Sequence, residues 1–407
     1  MWGALFRQEN QYGKLFYAGV VNGIGDRFSS VAVYAMLLQI TGSGFAVGVT
    51  LAIRLFPFLF FGPIGGILAD RYSKKNILII TDLSRIIFAL LLLFVNGKED
   101  IWIVYLVSFF LAAGEAIYSP ARKSSIPRLL KDKGILLKVN SLEQVMVGIV
   151  LIGGAFSGGI VSFFFGPQFT FWLNGFSFLA AAFIISTITF PSEEKVMKSV
   201  HREKLPLSTV KKIILASAPL QLVLLGQIFV ALVAGIDNVL ISVYAVNVFN
   251  LGGFGVGAFY GALGIGLMVS FSAANRLKKN LLVIGIACLM LEGVFLVLQS
   301  QIYFVITAFF IFTGAAFMSG IGNACFDTVL MEEIPEDHHG MVFGLTETIS
   351  NTLIGVSMFF AGLATEFIQP RTMGLAGGLS YIFIGIFLLI AFCLLKSKSS
   401  VPENVNQ

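Results

Sequence analysis

Two acidic residues sit where little in the surrounding sequence favours water. Asp26 lies in an apolar run, next to Arg27 and in a polar stripe with Asn22, Ser29 and Ser30, and Asp237 lies beside Asn238 in a run of Ile, Leu and Val. A carboxyl group held away from water either exchanges a proton, holds a cation or pairs with an arginine. Burial raises a carboxyl pKa and a nearby guanidinium lowers it. Arg27 follows Asp26 but is turned by about 100° around a helix, which leaves Asp26 as the first candidate for proton uptake. The alternative is that Asp26 is neutralised by an arginine from a neighbouring helix. Arg27 and Arg54 either neutralise acids or hold an anionic group of a substrate. Glu115 shares a helical face with Ser108, Ser119 and Arg122, and suits a coupling acid or half of an ion pair equally well. Asp82 and Arg85 are three residues apart and placed to pair with each other. Glu292 and Glu347 are lone acids.

The elements that must position these groups are helices in lipid. Hydrophobic residues make up 57% of the 407 positions and charged residues 12%, with mean hydropathy +0.89. A soluble domain carries about 25% charge, so this chain cannot present a water-compatible surface. Its 41 Phe and 43 Gly fit helices that face lipid on one side and approach other backbones on the other. A span needs about 20 mostly apolar residues, and free backbone groups in lipid must be paired within the helix. Twelve such runs are expected: 14–40, 45–69, 76–96, 101–122, 140–165, 168–190, 214–248, 252–274, 280–299, 302–331, 340–366 and 372–395. The first is too long for the core of a signal peptide and is expected to remain as a span. Breaks fall at Thr41–Gly44 and at Gly166–Pro167.

The fold class is therefore an all-α integral membrane protein of twelve transmembrane helices in two pseudo-symmetric six-helix bundles. Residues 1–190 form the first bundle, 191–213 a cytoplasmic linker, 214–396 the second bundle and 397–407 a tail. Most of the 27 Lys and Arg fall on one side when both termini are cytoplasmic. The two halves also resemble each other. Val33–Ala35 recurs at Val243–Ala245 and Phe45–Gly48 at Phe254–Gly257; Ala69–Asn76 recurs at Ala274–Asn280 and Ile126–Pro127 at Ile334–Pro335. The matches keep chain order at a nearly constant separation. An even number of spans per repeat leaves the halves parallel, as in carriers that alternate access to a site between repeats. Asp26 and Asp237 then fall at nearly the same depth and would face one central cavity.

The loop Gly65–Lys75 (GGILADRYSKK) resembles the signature loop of the major facilitator superfamily, with Ser73 where the signature has its second Gly. Ser119–Leu142, Gly25–Ser43 and Met331–Leu345 are similar to the branch containing macrolide-efflux proteins and enterobactin exporters. The resemblance implies proton-coupled efflux of lipophilic drug-like compounds or, alternatively, dedicated export of a siderophore-like metabolite. It also implies a gating role for Gly66, Asp70, Arg71, Lys74 and Lys75, with Asp70 latching the halves at the N-terminus of the eleventh span. Carboxylates favour helix N-termini by about 0.3–1 kcal/mol, and Arg122 is a candidate partner. Exporters of the superfamily carry a Gly-Pro-rich motif on the fifth span. Here the run is Gly153–Gly159, with Gly154 where Pro is expected; Gly153, Gly154, Gly158 and Gly159 should keep the close helix packing while the proline kink is lost.

Other functions have less behind them. No GxxxxGK[ST], GxSxG or HExxH run occurs, so neither an ATP-driven pump nor a membrane hydrolase is expected, and no cofactor or metal. The three Cys lie in apolar runs and read as packing residues; His201, His338 and His339 read as loop residues. A channel is the remaining rival, but paired halves around lone buried acids suit a carrier better. The expected partners are a small-molecule substrate, protons and the lipid bilayer of the cell membrane, with the chain monomeric and without nucleic acid. The acidic loop around Glu332–His339 receives no role from the sequence.

Overall fold

The computed structural model describes residues 2–41, 44–190, 213–215 and 217–399, so most of the expected linker and most of the tail lie outside the described residues. No strand occurs among those described. A short helix that the hydropathy pattern does not announce, α1 (Trp2–Gln8), leads into α2 (Asn10–Thr41), α3 (Gly44–Arg71), α4 (Lys74–Leu91) and α5 (Ile101–Leu129). Helix α6 (Leu136–Val150) continues through a π-helical segment, Leu151–Phe156, into α7 (Ser157–Phe165), and α8 (Pro167–Ser186) follows. The second half comprises α9 (Ala218–Val243), with a π-helical extension Tyr244–Val248, then α10 (Gly252–Ala274), α11 (Leu281–Gln301), α12 (Val305–Glu333), α13 (His339–Ala364) and α14 (Pro370–Ser399). Ten helical segments among the described residues are long and apolar enough to cross a membrane. Helices α2 and α13 are long but fall outside those ten.

Local chemistry sets several boundaries. Gly166 has φ of 80°, a left-handed conformation open to glycine, and Pro167 then opens α8, where its missing N–H costs nothing. Ser73, standing where the signature loop has glycine, caps α4 by accepting from the backbone N–H of Asn76 at 3.3 Å. Ser217 caps α9 in the same way through Leu220. In place of a proline kink at Gly154, the fifth rod carries the π-helical segment, a distortion that frees backbone geometry without an imino acid. Gly154 and Gly158 pack this rod on α2: an added Cβ would come within 2.6 Å of the Arg27 Cβ and 2.9 Å of the Phe28 Cα. Gly153 touches Ile24 at ordinary distance, whereas the packing around Gly159 lies outside what is described.

The two halves pack by one scheme. In the first, α2 lies on α8, α3 on α5, and α4 on both α5 and α8; in the second, α9 lies on α14, α10 on α12, and α11 on both α12 and α14. Two seams join the halves, α3 and α5 against α13, and α10 and α12 against α6. Both seams depend on glycine. A Cβ on Gly66 would meet the Gly340 carbonyl oxygen at 2.5 Å, and one on Gly344 the Gly62 oxygen at 2.5 Å. At the other seam a Cβ on Gly148 would meet the Gly264 oxygen at 2.5 Å. Large apolar side chains such as Phe183, Phe310 and Phe367 point outward, as a lipid-facing surface requires.

Overpacking a tight contact typically costs about 1–3 kcal/mol. Gly344→Leu should therefore lower the melting temperature of the purified protein. Gly261→Leu, where an added Cβ meets nothing within 4 Å, should leave it unchanged. Equal effects in the two variants would contradict the glycine-dependent seam.

Candidate functional site

The signature loop meets the other half through backbone, not through a side-chain cation. Asp70 ends α3 and accepts hydrogen bonds from the backbone N–H groups of Gly340 and Met341, both at 2.7 Å, in the first turn of α13. Those N–H groups have no intrahelical acceptor and carry the positive end of the helix dipole, so a carboxylate is their natural partner. Gly340 is required for the approach, because a Cβ there would stand 2.5 Å from the Asp70 Oδ1. Lys74 donates to the Ala69 carbonyl at 2.5 Å and Lys75 to that of Ile188 at 2.8 Å, which pins the loop to its own half; Arg71 is exposed.

Arg122 is not the partner of Asp70. Its guanidinium pairs with Glu143 on α6 at 2.5 Å, and Glu143 also accepts from the Tyr12 hydroxyl at 2.9 Å. Glu143 lies inside the expected span 140–165, and no spacing along its own helix points to a partner on α5. The acidic segment does acquire a place. Arg128 donates to the Glu336 carbonyl at 3.1 Å and reaches Asp337 at 3.4 Å, Lys133 pairs with Glu336, and Lys123 pairs with Glu347 at 2.6 Å. Asn140 donates to Thr328 at 2.9 Å. Each of these contacts joins the two halves at the Asp70 end. His339 is buried rather than a loop residue, with its Nε2 at 2.7 Å from the Ile334 oxygen, and His201 lies outside the described residues.

Deeper in the first half, Asp26 is not left free. Arg54 on α3 lies 3.0 Å from it and Arg85 on α4 3.5 Å. Arg85 therefore does not pair with Asp82 as the local spacing suggests. It spans instead between Asp26 and Glu115, at 3.0 Å from the latter, with Phe178 stacked 4.3 Å from its guanidinium carbon. Only 1% of Arg85 is exposed, so it is the hub of a desolvated network. Asp82 accepts from the Asn22 amide at 2.7 Å, and its second oxygen has no partner. Arg27 is exposed and makes no ion pair among the described residues; Tyr260, on α10 of the other half, lies within its electrostatic reach.

Asp237 sits in surroundings different from those of Asp26. It lines a small cavity inside the second half, with Tyr244, Phe259, Leu296, Gln299 and Phe312 among its walls, and it accepts a hydrogen bond from Tyr381 on α14. The two acids are related by the repeat but differ in surroundings, one held between arginines and the other beside a phenol.

Removing one member of a buried ion pair costs about 3–5 kcal/mol because its partner is stranded. Arg85→Met should lower stability by an amount of that order, measured by thermal or denaturant unfolding in detergent. Adding Glu115→Gln to Arg85→Met should recover part of the loss. Additive losses in the double variant would contradict the Arg85–Glu115 coupling.

Comparison with known proteins places this geometry. The model of the Major Facilitator Superfamily matches residues 15–358. An uncharacterized MFS-type transporter of Bacillus subtilis, YfiS, is 21% identical over 99% of this chain and 98% of its own length. Macrolide efflux protein A of Streptococcus pyogenes is 23% identical, with 88% of this chain and 89% of the relative aligned. Among solved structures, the Escherichia coli transporter FucP in the outward conformation superposes with a TM-score of 0.71 at 15% identity, over 93% of this chain and 98% of FucP. With helices fit to cross a membrane, a signature loop seated on the opposite half and a match over most of its length, the chain belongs to the major facilitator superfamily: it is a multi-pass membrane transporter, not an enzyme, with efflux proteins among its relatives.

Proposed function

We propose that this transporter is a proton-coupled exporter of lipophilic, drug-like compounds in the plasma membrane, working by alternating access between two six-helix halves. Helices α2 and α13, added to the ten apolar segments, complete twelve spans, and both termini are cytoplasmic. The observation that carries the reading is the distribution of contacts between halves. Asp70 on the α13 N-terminus and the pairs Lys123–Glu347, Arg128–Asp337 and Lys133–Glu336 all lie at one end. These polar contacts sit beside an apolar contact of Leu137 with Ala274, Cys288 and Cys325, and water can replace them once the halves part, so this end can open and reseal. Solvent-accessible ion pairs are each worth about 0–1 kcal/mol, small enough for substrate and protons to shift the balance between states. In the orientation set by Lys and Arg this end is cytoplasmic, and the conformation described faces outward.

The substrate class rests on the kinship with macrolide efflux protein A. A second reading, export of an anionic metabolite, is favoured by Arg27, whose exposed guanidinium has no acid paired to it among the described residues. It would hold a carboxylate or phenolate group of such a substrate. Dissipating the pH gradient and membrane potential of proteoliposomes should abolish accumulation of a labelled macrolide while leaving substrate exchange in place. Accumulation that persists without either gradient would exclude proton coupling. Loss of metabolite secretion in cells lacking the protein, with unchanged drug sensitivity, would favour the second reading.

A further inference from the structure

Asp237 and Glu292 form a pair of intramembrane acids that no cation answers. Neither makes a salt bridge among the described residues, and each lies within electrostatic reach of the other. Counted from the helix starts, Glu292 is the twelfth residue of α11 as Arg85 is the twelfth of α4, so the second half carries an acid at the helical position where the first carries its central arginine. Glu292, Leu296 and Gln299 share one face of α11, and the latter two line the cavity with Asp237.

Every group around the pair is neutral or acidic. The Tyr381 hydroxyl donates to Asp237 from α14, and Ser319 on α12 hydrogen-bonds Glu292. Cys288 lies near Glu292 on α11, and Tyr244 lies near Asp237 on α9. Helices α10 and α12 contribute Phe259 and Phe312 to the cavity. The cation nearest the cavity, Arg371, is spent elsewhere: it donates to the carbonyls of Ser300 and Ile302 and stacks 4.0 Å from the Tyr303 ring. Gln299 is 4% exposed, and its Oε1 has no partner. The cavity thus sets Asp237 beside an unpartnered Gln299 oxygen, with no cation paired to either acid among the described residues.

Two carboxylates in a low-dielectric site without a countercharge cannot both stay ionised. No group of three His, Cys, Asp or Glu that could hold a metal ion occurs among the described residues, and one proton is enough to remove one of the two charges. We propose that the Asp237–Glu292 pair binds one proton and that this second-half pair, rather than Asp26, is the proton site of the carrier. The proton comes from water and converts one of the two carboxylates to a carboxyl, which removes the repulsion between them. Access is from the end opposite Asp70, because Tyr244 lies just past the end of α9, Gln299 in the last turn of α11 and Gly374 in the first turns of α14.

The inference rests on the proton-coupled reading, but its test needs no substrate. Infrared difference spectra of the purified protein are recorded across a pH titration in sodium-free buffer. The wild type should gain the C=O band of a protonated carboxyl as pH falls. Asp237→Asn and Glu292→Gln should each lose that band, Asp26→Asn should keep it, and Asp237→Glu should keep it with a shifted midpoint. Size-exclusion profiles matching the wild type confirm that the variants are folded. A band that survives in both Asp237→Asn and Glu292→Gln, or that disappears in Asp26→Asn alone, overturns the assignment. A band abolished by sodium at constant pH also overturns it, because the site would then hold a sodium ion. If the band behaves as stated while export ignores the proton gradient, the coupled-export reading fails and the proton site stands.

Discussion

Asp70 reaches across the molecule to two backbone N–H groups that no residue of their own helix can satisfy. That pairing sets conditions on much of what surrounds it. The α13 N-terminus must come within hydrogen-bond distance of the α3 C-terminus, so the two backbones must nearly touch. Gly62, Gly66, Gly340 and Gly344 supply the missing side-chain volume. Lys74 and Lys75 tie the loop down on its own half and leave the carboxylate free to point outward. With the carboxylate seated, Arg128 and Lys133 come within reach of Glu336 and Asp337, and Lys123 within reach of Glu347. The second half has no equal: the residue at the corresponding position of the repeat is Asn275, an amide whose buried nitrogen has no partner. The charged contacts between the halves therefore gather on the α13 seam, while the α6 seam carries the neutral Asn140–Thr328 hydrogen bond.

The same asymmetry runs through the interior. Two halves with one packing scheme carry opposite charge logic at corresponding places. In the first half, Arg54 and Arg85 hold Asp26 and Glu115, an arrangement that fixes geometry because any departure strands a buried charge. In the second half, Asp237 and Glu292 have a phenol and a serine for company. The first half thus pairs Asp26 and Glu115 with arginines and leaves Asp82 on the Asn22 amide, while in the second half neither Asp237 nor Glu292 is paired to a cation among the described residues.

The sequence makes the helices legible because lipid imposes a length and a composition that any sliding reading detects. The expected breaks at Gly166–Pro167 and at the signature loop coincide with helix ends for local reasons, a left-handed glycine and a serine cap. Partners across helices are not legible in the same way. Asp82 and Arg85 sit three residues apart, yet Arg85 turns to Glu115 on α5 and to Asp26 on α2, which it shares with Arg54. Arg122 seemed placed for Asp70 by proximity to the same membrane edge, but Glu143 on α6 is nearer. Glu336 and Asp337 resembled a solvated loop until Arg128 and Lys133 of the other half came beside them. In each case the deciding neighbour comes from another helix, which no spacing rule along one helix encodes.

The central claim is that Asp70 on the α13 N-terminus holds one end of the carrier shut while the other stands open. Spin-label distances read this directly in a cysteine-free background. One pair spans the Asp70 end, at Tyr72 and Lys278; the other spans the opposite end, at Lys98 and Phe367, all four being exposed positions. Replacing Asp70 with Asn removes the charge and keeps the size. The account predicts that the first distance lengthens and the second shortens in Asp70→Asn relative to the parent. Two unchanged distributions, or two that lengthen together, would contradict it.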